Sequence, residues 1–214
     1  MSDVTTAVSE QLDQHFSGYH RDEAQITFLG NEPMRLLRFV PDSGSGDDDV
    51  VWYSSLGCSA HPMDPEAINP DPGAPRAEIV LGVRRGIDAV GKTLAIIAAS
   101  PSVEGVVLRE GLLIDLESPL WPGSSFTAVI LTPSPVPDVA GDWGADVVVY
   151  QAVPVTQTEA AWVRLKSADT LREAWTEAVV NAVVHRSYSM AGDHIRISIF
   201  PSRIEVSSPG RFPG

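Results

Sequence analysis

Residues 101–133 read PSVEGVVLREGLLIDLESPLWPGSSFTAVILTP. Two apolar runs stand out in this stretch, Gly105–Leu116 and Phe126–Leu131, joined by the turn-rich segment Ser118–Ser125. Short apolar runs bounded by turn signals read as buried strands. The second run is β-branched and ends before Pro133, which sharpens the strand reading there. Between the runs lies Pro119-Leu120-Trp121-Pro122-Gly123. Proline fixes φ and the glycine permits a tight turn, so this corner is expected to hold one shape. The whole stretch is expected to form the centre of a globular core.

Outward from it, the chain alternates groups of strands with helices. Upstream, Val4, Val8, Leu12 and Phe16 recur at helical spacing and predict an amphipathic helix that stops at Gly18. Gln25–Leu29 and Met34–Val40 read as strands, with Gly30-Asn31-Glu32-Pro33 as a hairpin loop. Val50–Ser55 is a strong strand, and Pro75–Val83 is another with its charged residues at one end. Ile87–Ala99 reads as a helix. Downstream, Asp146–Pro154 is a buried strand, Gln157–Val163 begins a short helix, and Thr170–Arg186 carries the longest helical pattern. Ile195–Phe200 and Arg203–Val206 predict a hairpin turning at Pro201-Ser202. Strand groups separated by helices predict an α+β fold, with a mixed or antiparallel sheet and packed helices, followed by a C-terminal helix and β-hairpin.

Composition narrows the function. The formal net charge is −13 over 214 residues. It is uneven: residues 1–75 carry 3 basic and 13 acidic side chains, residues 76–160 carry 5 and 10, and residues 161–214 carry 7 and 5. An acidic body argues against nucleic acid as a partner, because phosphate neutralisation needs Lys and Arg. The longest near-apolar run, Leu94–Ser100, is far too short to cross a bilayer. No basic residue precedes Arg21 and no long apolar stretch opens the chain, so no secretory signal is expected. The single cysteine, Cys58, excludes an internal disulfide and suits a reducing cytoplasm.

Few residues have the spacing of a chemical site. Asp47-Asp48-Asp49 could in principle hold a divalent cation, yet consecutive acids in a Gly-rich segment read as a solvated loop. Cys58 and His61 stand three apart, but no second pair of ligands accompanies them, and no base for a thiol nucleophile can be named. Both are expected to be structural.

Several motifs in one order carry a resemblance. Val51-Trp52-Tyr53-Ser54-Ser55-Leu56-Gly57-Cys58-Ser59, Pro75-Arg76-Ala77-Glu78-Ile79-Val80-Leu81-Gly82 and Leu120-Trp121-Pro122-Gly123-Ser124 are similar to the suppressor-of-fused-like domain in its bacterial form. Tyr150-Gln151-Ala152-Val153-Pro154-Val155-Thr156 and Glu159-Ala160-Ala161-Trp162 continue the series. The resemblance covers about residues 15–175. It implies a non-catalytic, protein-binding α+β domain, of which the bacterial forms look like immunity or regulatory proteins that neutralise a toxin by contact. It implies no catalytic residues.

A second resemblance begins near residue 172. Arg172–Ser189 is similar to the first ATP-site helix of GHKL-type ATPases of the RecG-like kind, and Ser208-Pro209-Gly210 to the start of their glycine box. Glu177 and Asn181 lie four apart and therefore one above the other on a helix, beside the stripe Leu171, Trp175, Ala178 and Ala182. This resemblance implies Glu177 as the catalytic residue, Asn181 as the Mg²⁺ ligand, and Asn181 with Gly210 as contacts to ATP. The phosphate-closing parts would begin where the sequence stops, and Ser207-Ser208 replace the expected acidic residue, so no ATPase activity is expected. The organisation expected is a suppressor-of-fused-like domain over 1–175 and a partial GHKL-like segment over 176–214. Two readings stay open: a binding module with a protein partner and no cofactor, or an incomplete ATP/Mg²⁺-binding protein.

Overall fold

The computed structural model describes residues 3–27, 33–41, 50–65, 69–184, 196–199 and 204–207, with side chains described as far as Glu177. Seven strands form one sheet: β1 (Tyr19–Ile26), β2 (Met34–Pro41), β3 (Val50–Leu56), β4 (Arg76–Arg84), β5 (Leu113–Asp115), β6 (Phe126–Pro133) and β7 (Val147–Thr156). Their order is β1-β2-β3-β4-β7-β6-β5. All neighbours run antiparallel except β4 and β7, which run parallel with Arg76 opposite Val147. The expected mixed α+β sheet is therefore present.

Side-chain parity assigns a helix to each face. On β4, Ala77, Ile79, Leu81 and Val83 point to one side and pack with Leu94, Ile97 and Ala98 of α2 (Val90–Glu104). Val80 points to the other side and joins Val4, Val8 and Leu12 of α1 (Val4–His15) and Phe16, which caps it. Further along that second face, Ala128, Ile130 and Val155 meet Ala160 of α3 (Gln157–Leu165) and Leu171 of α4 (Ala168–Val184). The sheet is thus covered on both faces, which explains why β3 and β4 read as continuous apolar runs. The strands β8 (Arg196–Ile199) and β9 (Ile204–Ser207) pair antiparallel as a separate hairpin, in agreement with the pattern reading.

The stretch 101–133 is not the centre of the sheet. It supplies β5 and β6, which form one edge, while β4 lies in the middle. Of the run Gly105–Leu116, only Leu113–Asp115 forms a strand. The reason is local. Helix α2 does not stop at Ala99 but continues through Pro101 to Glu104. Pro101 has no N–H to donate to the Ile97 carbonyl, and the Ser100 hydroxyl donates there instead, at 2.8 Å. Gly105 then ends the helix at φ 69°, a left-handed turn that glycine adopts freely. Of the apolar residues in the run only Leu108 is fully buried in the α2 core, joined there by Leu120 from beyond the run. The corner at Trp121–Ser124 does form as expected: Gly123 takes φ 79° and the Ser124 amide donates to the Trp121 carbonyl at 3.0 Å.

One strand boundary also moves, while α3 begins at Gln157 as expected. Strand β1 begins at Tyr19, although His20-Arg21-Asp22-Glu23 carries no apolar alternation. As an edge strand it needs no buried face, and its charges pair with neighbours: Arg21 with Asp13 and Glu23, Arg38 with Asp22. Helix α3 starts on a capping box, in which the Glu159 amide donates to the Thr156 hydroxyl and the Glu159 carboxylate accepts from the Thr156 amide. The hairpin loop at 30–33 lies mostly outside the described residues, and Asp47-Asp48-Asp49 lie wholly outside them.

Candidate functional site

At one end of the sheet, β3 runs out into Leu56-Gly57 and a single 3₁₀ turn, Cys58–Ala60. This turn is gripped from beneath by two charged residues of β4. Arg76 and Glu78 are two apart on one strand, so both side chains project from the same face. Glu78 is fully buried. One of its carboxylate oxygens accepts the amides of Gly57 at 2.8 Å and Ser59 at 3.0 Å, and the Ser59 hydroxyl at 2.7 Å. The other accepts the Ser55 hydroxyl. Arg76 takes the opposite polarity of the same turn. Its Nη1 donates to the Ser59 carbonyl at 2.8 Å and the Ala60 carbonyl at 2.9 Å.

This arrangement solves a problem of burial. A turn has orphaned amides and carbonyls, and a carboxylate in a dry interior needs donors. Here the carboxylate and the guanidinium each satisfy one set. Gly57, at φ 120°, bends the chain so that its own amide and that of Ser59 converge on one oxygen. Fully buried and held by four donors, the carboxylate is not open to a substrate. It is a clamp.

Above the clamp lies a cavity of about 680 Å³ between the start of α1, the start of β2 and the last turns of α2. Gly57, Cys58, Ala60 and His61 form its floor, with Met63 and Pro65 in one wall. The structure therefore brings Cys58 and His61 into one cavity, as their spacing allows. It does not activate the Cys58 thiol. Burial, with the charge of Glu78 added, pushes the Cys58 thiol well above its ordinary value. The group is a thiol at neutral pH. Alkylation of Cys58 by iodoacetamide at pH 8 is expected to run at least about tenfold slower in the folded protein than in urea. Mass spectrometry of timed aliquots reads the ratio. Among the described residues no group of His, Cys, Asp or Glu is placed to hold a metal ion, and no helix is long and apolar enough to cross a membrane.

The residues of the second sequence resemblance lie elsewhere. Glu177 is exposed on α4. Asn181 falls one turn later in the same helix, with its side chain outside the described part, and Gly210 lies outside the described residues altogether. Earlier on that helix, Leu171 is buried and the Trp175 indole donates to Glu159 of α3 at 3.0 Å. That contact makes the first half of α4 part of the sheet-covering layer.

Sequence reading missed the clamp. Arg76 and Glu78 appeared as charges at the end of a strand. The available signal was their i, i+2 spacing in a run otherwise apolar on both faces, which forces both groups inward.

A central mixed sheet, helices on both faces, and a concave end held by a buried polar clamp define a domain of α+β class. The comparisons give it a family. The family model for suppressor of fused protein (SUFU) matches residues 30–185, and the chain belongs to that family. Among solved structures, a protein of Neisseria gonorrhoeae FA 1090 described as a SUFU homolog is similar, with TM-score 0.62 and 18% identity over 83% of this chain and 91% of that one. The Sufu–Fu complex matches with TM-score 0.60 and 15% identity, covering 80% and 83%. Drosophila Suppressor of Fused matches with TM-score 0.57 and 16% identity over 80% of this chain and 46% of that one. At these identities the likeness is one of fold. No curated protein sequence matches the chain. The family match runs to residue 185 and so takes in Glu177 and Asn181, and the comparisons lend no support to an ATP-binding segment.

Proposed function

We propose that this chain is a non-catalytic protein-binding domain that acts by contact, as a bacterial immunity or regulatory protein whose partner is a toxin. Family membership supports the binding mode, and the solved Sufu–Fu complex is an instance of a relative bound to a protein. The observation that carries the reading is the clamped turn. Glu78 and Arg76 use buried charge to hold the turn after β3 in place beside a large cavity, while burial keeps the Cys58 thiol of that cavity protonated. Rigid presentation without chemistry is what a binding surface needs, since preorganisation lowers the entropy lost on association. The acidic body and the single cysteine fit a cytoplasmic protein that does not bind nucleic acid.

Purification of the tagged full chain from its native host, with cross-linking and mass spectrometry, tests this. A stoichiometric protein partner is expected, and co-expression with the product of an adjacent toxin gene should restore growth. Absence of any stoichiometric partner overturns the reading. The chain is proposed to need neither ATP nor Mg²⁺. Titration of Mg-ATP into the full chain in a calorimeter is expected to give no saturable heat, and a micromolar Kd would restore the roles of Glu177 and Asn181.

A further inference from the structure

A second cavity, of about 560 Å³, runs along α1 on the same side of the sheet and shares Asp3 with the first. Its far wall is the loop 140–143. The lining includes the carboxylates of Asp3, Glu10 and Asp142, and it includes no Lys, Arg or His. Glu10 and Asp142 are exposed and no cation pairs with them among the described residues. The acids do not converge as a metal site.

The indole of Trp143 forms the apolar part of that wall, and the fold goes to some length to fix it there. Its ring lies over Gly141, where a Cβ would fall 2.2 Å from a ring atom. Its carbonyl accepts from Nη2 of the buried Arg76 at 3.5 Å. Its Nε1–H is buried with no acceptor. The ring also packs against the core beneath α1. What indole adds over a phenyl ring is a larger, more electron-rich face, the strongest cation-binding surface among the natural side chains.

We propose that this groove receives a lysine or arginine side chain of the protein partner, held against the Trp143 face and between the Glu10 and Asp142 carboxylates. The proposal rests on the protein-binding reading and gives that partner a chemistry. The occupant is a protein segment because the surrounding acidic surface repels phosphates, while a net charge of −13 draws a basic partner toward it over long range.

The test uses the full chain and the peptide pentalysine as probe, followed by ¹⁵N NMR at low salt. The expected result is a saturable shift of the Trp143 indole N–H and of the amides of residues 3–10 and 140–143. The double variant Glu10→Gln/Asp142→Asn is expected to weaken binding by about tenfold, and the remote control Asp169→Asn/Glu173→Gln by less than about twofold. Trp143→Phe is expected to weaken it by about threefold while leaving the melting temperature unchanged or raised. Equal losses in the two charge variants, or shifts spread over the whole acidic surface, or no saturable shift, overturn the proposal. A captured partner whose affinity ignores Glu10→Gln/Asp142→Asn also overturns the groove, and it leaves the protein-binding reading standing.

Discussion

Glu78→Ala is expected to lower the unfolding free energy by about 4 kcal/mol, which is a large share of the stability of an ordinary domain. The side chain is fully buried and accepts two amides and two hydroxyls. Removing it leaves those donors without acceptors in a dry interior and opens a cavity beneath the turn. Arg76, itself buried, keeps its hold on the carbonyls of Ser59 and Ala60 but loses the anion two residues away on the same face. Glu78→Gln is the informative companion. It preserves volume and one acceptor oxygen, yet turns an NH₂ group toward donors, so a loss of about 2–3 kcal/mol is expected. Urea unfolding followed by tryptophan fluorescence measures both. If Glu78→Ala shifts the midpoint no more than a surface substitution does, the clamp is not a stabilising feature. If Glu78→Gln leaves the mouth of the cavity ordered in amide exchange, the turn does not depend on the charge.

The fold was legible where apolar pattern and element coincide. α1 follows its i, i+4 spacing of Val4, Val8, Leu12 and Phe16, and β3, β4 and β7 follow largely apolar runs. It was illegible where the pattern serves another purpose. Gly105–Leu116 is apolar because it lies over the end of α2, and little of it is strand. Tyr19–Glu23 is a strand without an apolar face because an edge strand can be held by ladder bonds and ion pairs alone. Sheet order is a further matter. Nothing local in β4 and β7 says that they run side by side in parallel across 62 residues of intervening chain (85–146), which contains α2 and the β5–β6 edge pair.

The site was legible in part. Several of its residues, Gly57, Cys58, Ser59, Arg76 and Glu78, stand in the motifs that carry the suppressor-of-fused resemblance. Their roles were not legible, because the roles are mutual. A buried glutamate on β4 makes sense only once the turn after β3 places two amides over it, and that proximity comes from β-pairing across more than twenty residues. Trp143 is hidden for the same reason. Its loop carries only Pro, Gly and Asp signals, and its position depends on a guanidinium 67 residues away in sequence.

That loop yields the second large effect. Gly144→Ala is expected to destabilise the fold by about 3 kcal/mol and to displace Trp143 from the groove. Gly144 sits at φ 98°, where an L side chain is strained. A Cβ there would also lie 2.2 Å from the Pro72 carbonyl oxygen and 2.5 Å from its carbon. Those are backbone atoms of a proline-rich segment, so no rotamer change can relieve the overlap, and one of the two loops must move. Gly86→Ala separates the two causes. Gly86 has a comparable φ of 92° with nothing within 4 Å of the added carbon, so it reports backbone strain alone, about 1–2 kcal/mol. The excess of Gly144→Ala over Gly86→Ala measures the contact between the loops. Because Arg76 holds the Trp143 carbonyl as well as the turn after β3, a displaced loop should also alter the Trp143 indole resonance and the amide of Ala60. Equal destabilisation by the two substitutions, with both resonances unmoved, would show that the loop is not locked against Pro72 and that the groove wall is not built in advance of binding.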